Sequence, residues 1–175
     1  MERKYKMLTT EDEKSLLRWW AGLVNERGNR AMLRRAVKPE DVLLSPAFSE
    51  FLAIMPESWR QDYRLLDSAL IAAILARVKA SDEHNTFAKS LALPKQGGGK
   101  PPMSELRFMQ LQKSRDPDEF FRQLARAISI LDGKVNLLSL ADGALHWLKE
   151  YRCGADKEPI KRLAVRWATD YYTAF

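Results

Sequence analysis

Along most of this chain apolar side chains recur at steps of three and four, the period of one face of a helix. Leu16, Leu17, Trp20, Leu23 and Val24 form the first stripe. Ahead of it Thr10-Glu-Asp-Glu13 has the spacing of a capping box, with the Thr10 oxygen accepting an amide and Glu13 reaching back to the cap. Gly28 and Asn29 break the pattern, and Asn29 is placed to cap a short second helix running to Val37. Ala31, Met32, Leu33 and Ala36 make its packing side, while Arg27, Arg30 and Arg34 line up on the outside. Ser45-Pro46 sets a cap before a proline at the first helical position, opening a helix through Phe48, Phe51, Leu52 and Met55 that Pro56 ends. From Trp59, the series Tyr63, Leu66, Leu70, Ile74 and Val78 predicts a helix of about five turns, apolar enough to be the core.

Residues 81–103 lose this period, and Pro94, Gly97-Gly98-Gly99 and Pro101-Pro102 mark a long loop without regular structure. Helices resume at Ser104, with Leu106, Phe108, Met109 and Leu111. Asp116-Pro-Asp-Glu119 then combines a cap, a first-turn proline and an early glutamate, before an inner face of Phe120, Leu124, Ile128 and Leu131. Asn136 caps a further helix facing inward through Leu140, Ala144, Trp147 and Leu148, and a last one begins at Pro159. Ile160, Leu163, Ala164, Trp167 and Tyr171 form its apolar side, with Lys161, Arg162 and Arg166 outside. No segment alternates β-branched and polar residues between hairpin turns, and no repeat is visible. The expected fold is all-α: about eight helices in one compact, bundle-like domain spanning 1–175. Its N-terminal half covers about 8–80 and its C-terminal half about 104–175, joined by the loop at about 81–103.

Composition narrows the class. In 175 residues, 46% of them apolar, five Trp, five Tyr and seven Phe supply a core, which excludes a disordered chain. Cys153 is the single cysteine, so no intramolecular disulfide can form. The charged opening Met1-Glu-Arg-Lys-Tyr-Lys6 shows no signal peptide, and no run of about 18 apolar residues occurs, so a soluble, cytoplasmic protein without membrane contact is expected.

Charge is local rather than global. The net charge of +6 divides evenly, with 14 basic and 11 acidic residues up to position 79 and 15 against 12 beyond it. Arg27, Arg30, Arg34, Arg35 and Lys38 nevertheless fall in one stretch without an acid. Between His84 and Arg115, Lys89, Lys95, Lys100, Arg107, Lys113 and Arg115 meet only Glu105. Unneutralised stripes of this kind are what a polyanion binder presents.

Catalytic groups are scarce. His84, His146 and Cys153 lie far apart, which argues against a metal or nucleophile site. Asp82-Glu83-His84 reads as the solvated start of a loop, and His146 as helix surface or rim. Gly97-Gly98-Gly99-Lys100 fails as a phosphate loop, because Pro94 replaces the first glycine, Pro101 the Ser/Thr, and no strand precedes it. Asp116, Asp118 and Glu119 are explained as helix-start carboxylates. Neither a cofactor nor a small-molecule substrate is expected, and the chain is not expected to be an enzyme. Trp19, Trp20, Trp147 and Trp167 are assigned to core packing rather than base stacking.

Three stretches together resemble a known family: Leu17-Arg-Trp-Trp-Ala-Gly-Leu23 with Gly28-Asn-Arg-Ala-Met-Leu-Arg-Arg-Ala36, Ser104-Glu-Leu-Arg-Phe-Met-Gln-Leu111, and Arg166-Trp-Ala-Thr-Asp-Tyr-Tyr172. Their order and spacing are similar to those of CasB, the small subunit of the type I-E CRISPR surveillance complex Cascade. The resemblance implies an all-α, non-catalytic subunit present in two copies, beside other Cascade proteins and a guide RNA, that helps hold the separated strands of target DNA. Arg30, Arg34 and Arg35 match basic positions of the first stretch. Arg107, Lys113 and Arg115 follow from the second, and Arg122 and Arg126 extend the track. With Arg27 and Lys38 these are the expected nucleic-acid contacts, although Arg35 or Arg107 could instead pair with Asp41, Glu105 or Asp142 inside the domain. The competing reading is a free-standing helical DNA-binding regulator with Gly28–Val37 as its recognition helix. Against it, apart from Asn29 at its start, this segment holds only arginine and apolar side chains, whereas base readers mix Arg with Asn, Gln and Ser.

Overall fold

A computed structural model describes residues 4–95 and 98–174. The opening Met1-Glu-Arg and Gly97 of the glycine run lie outside these residues. Nine α-helices run through the described chain: α1 Thr10–Leu23, α2 Arg27–Arg34, α3 Pro46–Ile54, α4 Leu65–Leu75, α5 Phe87–Ala92, α6 Glu105–Gln112, α7 Pro117–Ile130, α8 Leu137–Cys153 and α9 Leu163–Tyr172. The all-α reading stands, with one small addition. Two-residue strands β1 (Ala80–Ser81) and β2 (Lys134–Val135) pair in parallel, Ala80 opposite Lys134 and Ser81 opposite Val135.

Local chemistry explains the starts. Ser45, Ser104, Asp116 and Asn136 each accept an amide of the first turn, as their sequence positions require. The cap of α1 is Thr9 rather than Thr10. Its hydroxyl accepts from Asp12 N–H at 3.1 Å, and Asp12 accepts from Thr9 N–H at 3.0 Å, so the acid of the box is Asp12 and not Glu13. The second carboxylate oxygen of Asp12 accepts the buried Trp59 indole N–H at 2.8 Å, tying α1 to the turn before α4. Likewise α2 begins at Arg27 behind Glu26, leaving Asn29 inside its first turn to donate to Glu26 and Glu50.

The core helix is shorter than its periodicity suggests. Trp59 and Tyr63 sit in separate 3-10 turns, Glu57–Arg60 and Asp62–Arg64, and only Leu65–Leu75 is α-helical. Tyr63 and Leu66 face outward, while every residue from Asp67 to Leu75 is buried. A helix apolar on all sides must sit centrally, and α4 packs against α2, α3, α7 and α8. Both halves of the chain therefore share it. The buried Asp67 accepts two donors from Arg152 of α8, one of them at 2.6 Å.

Residues 81–103 are not irregular throughout: Thr86 caps α5, whose Phe87, Ala88, Leu91 and Ala92 are buried, and α5 packs on α9. The helix α9 starts at Leu163, after a 3-10 turn at Pro159–Lys161 that leaves Ile160 exposed. Trp19, Phe48, Phe51 and Trp59 form one aromatic cluster. A second joins Phe87, Phe108, Phe120, Trp147, Trp167 and Tyr171, which assigns Trp19, Trp147 and Trp167 to the core. Gly143 is needed there, since a Cβ on it would stand 2.7 Å from the Trp167 ring. No described helix is long and apolar enough to cross a membrane.

Candidate nucleic-acid interface

The helices α6 and α7 place their basic residues by what they bury. Phe108 and Leu111 turn inward from α6, and Phe120, Phe121, Leu124, Ala127 and Ile128 from α7. That leaves Arg107 and Gln110 of α6 facing Gln123 and Arg126 of α7 across a groove of about 370 Å³, with Met103, Ser129 and Ile130 completing its lining. Among the described residues, no carboxylate lines it. Arg107 and Arg126 are exposed, and neither makes an ion pair among the described residues.

Ser129 also borders a second cleft, of about 250 Å³, which holds Arg34, Arg77 and Lys79. Ile130 borders a third depression, lined by Lys95 and Lys100. Basic side chains from four separate parts of the chain thus gather around the C-terminal end of α7. Arg77 is fixed by its surroundings: it donates to the Ala36 carbonyl at 2.7 Å, and its guanidinium lies 5.4 Å from the centre of the Phe121 ring. Burial, and then the nearby charge of Arg34, push its pKa below the usual arginine value, although an arginine remains protonated in proteins.

The family model for CRISPR-associated protein Cse2 matches residues 29–172. The chain belongs to this family. It is therefore a structural subunit of the type I-E CRISPR Cascade complex, the one also called CasB. No curated protein and no solved structure matches the chain. The matched span includes every basic residue of the three Cse2 clefts, whereas Leu17–Leu23 of the first resembling stretch precedes it.

The sequence-predicted contacts divide by what this Cse2 chain does with them. Arg34, Arg107 and Arg126 line the two clefts that share Ser129. Arg122 is exposed one turn from Arg126, and Arg27, Arg35 and Lys113 are also exposed, all without ion pairs among the described residues and outside these clefts. Lys38 pairs with Glu40 at 2.5 Å, and Arg115 with Glu119 at 3.1 Å. Arg30 does not point outward with its neighbours. Its Nε and Nη2 donate to the carbonyls of Ala76 and Val78, at 3.2 and 3.1 Å, and the Trp20 indole shares the Val78 carbonyl. It thereby closes the end of α4, whose last carbonyls lack helical partners.

Of the internal partners considered for Arg35 and Arg107, Asp41 and Asp142 are engaged elsewhere, and Glu105 makes no ion pair with either arginine among the described residues. Asp41 accepts the amides of Val37 and Lys38. Asp142 accepts those of Lys6, Met7 and Leu8, together with Arg166. His146 is buried rather than at a rim, because α8 is covered nearly all round from Leu137 to Leu148. Its Nδ1 faces Arg166 at 2.8 Å and its Nε2 faces Glu150 at 3.2 Å, an arrangement met by a neutral ring carrying its proton on Nε2. Burial first, and then Lys6 and Arg166, push its pKa down to about 4.

Arg77 and Lys79 were missed from the sequence because they follow the apolar run of α4 and read as its outer turns. The available signal was their position, as the first charges after the nine uncharged residues Ser68–Ala76.

Proposed function

We propose that this Cse2 subunit binds the sugar-phosphate backbone along a basic track over α7, and so stabilises target DNA opened by a guide RNA during antiviral defence. The observation that carries the reading is the α6–α7 groove, where, among the described residues, Arg107 and Arg126 make no ion pair and no acid lines the groove. Arginine suits the task, since its planar fork donates two hydrogen bonds to phosphate oxygens and stays charged at any working pH. Gln110 and Gln123 add amide donors for phosphate or sugar without a fixed pattern of base edges. Exchange of a DNA duplex for a guide heteroduplex is nearly balanced in the related Cas9 system, so a few phosphate contacts available only after strand separation can tip it. The partners in this reading are the guide RNA, the target DNA, the other Cascade proteins and a second copy of the chain. The work is holding rather than bond-making. A regulator with α2 as its recognition helix fits less well, because Arg30 spends its donors on the protein's own carbonyls.

The test is fluorescence anisotropy of the full chain with single-stranded oligonucleotides of equal length and scrambled base order. Backbone binding gives one affinity for all of them and a steep fall with salt. A preferred sequence whose binding survives moderate salt would overturn the proposal.

A further inference from the structure

We propose that the cleft formed by Arg34, Arg77 and Lys79 is a seat for one phosphate group, a monoester or diester, distinct from the groove held by Arg107 and Arg126. Three cations converge there from two segments of chain. The one acid in its lining, Asp132, pairs at 2.8 Å with Lys95, which is not part of that lining. Among buried side-chain polar atoms of the described residues, Arg77 Nε is the one without a hydrogen-bond partner. A buried donor left unmade costs about 1–3 kcal/mol, a cost that a phosphate oxygen reaching it would remove.

The seat is also built to hold its shape. Arg30 and Trp20 clamp the carbonyls of Ala76 and Val78 on either side of Arg77. The Lys79 stem lies across Gly133, where a Cβ would stand 2.8 Å from Lys79 Cγ, and the Gly133 backbone at φ +75° favours glycine independently. Carbonyls at the end of α7 would repel an anion, but those of Ile128, Ser129 and Leu131 accept the amides of Gly133, Asp132 and Lys134. What lines the cleft is therefore three fixed positive charges against the single acid Asp132.

The source of the phosphate rests on the backbone-binding reading, whereas the pocket does not. The experiment follows the thermal midpoint of the full chain in inorganic phosphate, with ionic strength held constant by chloride. The unaltered chain should show a saturable rise. Lys79→Gln and Arg34→Gln, both at exposed positions, should each weaken the apparent affinity about tenfold, the loss of one charge-assisted bond. Arg77→Lys, which keeps the charge but removes Nε, should weaken it as well, and Lys161→Gln, whose lysine pairs with Glu158 away from the cleft, should leave it unchanged. No response in the unaltered chain, or equal responses in all variants, overturns the pocket. Displacement of phosphate by an unphosphorylated oligothymidylate assigns the seat to a backbone diester, and displacement only by the 5′-phosphorylated oligomer assigns it to a strand end; both uphold it. Phosphate binding without any oligonucleotide binding overturns the backbone reading and leaves the pocket standing.

Discussion

Replacing Arg107 and Arg126 together by glutamine removes two positive charges from the α6–α7 groove and leaves its shape nearly intact. Neither residue has an internal ion-pair partner among the described residues, so no acid is orphaned, and exposed substitutions of this kind alter stability by about 0.5 kcal/mol or less. Each phosphate neutralised on a single strand contributes about −0.7 to the slope of log affinity against log salt. Two lost contacts should therefore flatten that slope by about 1.4. Each also lowers affinity about fivefold at 0.1 M salt relative to 1 M, or about 25-fold together. The assay is anisotropy of a labelled oligothymidylate between about 50 and 200 mM salt. Lys161→Gln serves as control, because Lys161 pairs with Glu158 away from the groove. A double variant with the slope of the unaltered chain would refute the assignment of these arginines to phosphates, however much the affinity itself changed.

Other substitutions separate scaffold from surface. Arg30→Met should cost about 1–3 kcal/mol in urea unfolding, since the Ala76 carbonyl loses its side-chain donor and the Val78 carbonyl keeps only that of Trp20, whereas Arg126→Gln should cost almost nothing. Gly143→Ala should destabilise by about 1–3 kcal/mol despite the helix propensity gained, because its Cβ would press on the buried Trp167 ring; a more stable variant in thermal melts would contradict that contact. His146 is held neutral in the fold, with its pKa depressed to about 4 from 6.5. The unfolded chain then binds more protons between those values, so this contribution is complete above pH 6.5 and is lost as pH falls towards 4. Asp41, Glu119, Asp132 and Asp156, whose pKa values are lowered by hydrogen-bond donors, add to the acid loss below that window. Thermal midpoints should fall across the window, and less so in His146→Gln.

What the chain discloses in advance follows from the range of the forces involved. The caps at Ser45, Ser104, Asp116 and Asn136 are local events, complete within one turn, and they are legible. The length of α4 is not, because Trp59, Tyr63 and Leu66 continue its period while lying in 3-10 turns or facing solvent. Residues Phe87–Ala92 carry a capped apolar pattern, but the neighbouring proline and glycine run obscures a helix this short. Arginine spacing in α2 gives a common face without telling which neighbour lies beyond it, so Arg30 reads as a surface residue until the end of α4 is in place. The same holds for His146, whose burial depends on what covers α8. Arg107 and Arg126 were legible as exposed, basic positions. Their convergence, and the addition of Arg77 and Lys79, depend on how α6, α7 and the end of α4 pack.

The central claim is that basic side chains around α7 hold opened DNA by its phosphates. It is tested most directly by rebuilding Cascade with the triple variant Arg34→Gln, Arg107→Gln, Arg126→Gln and measuring the lifetime of strand opening on a matched duplex, using a fluorescent base analogue in the displaced strand. The account predicts normal assembly of the complex and a much shorter-lived opening, with the deficit shrinking as salt is lowered. Opening as long-lived as with the unaltered subunit, at every salt concentration, would contradict it.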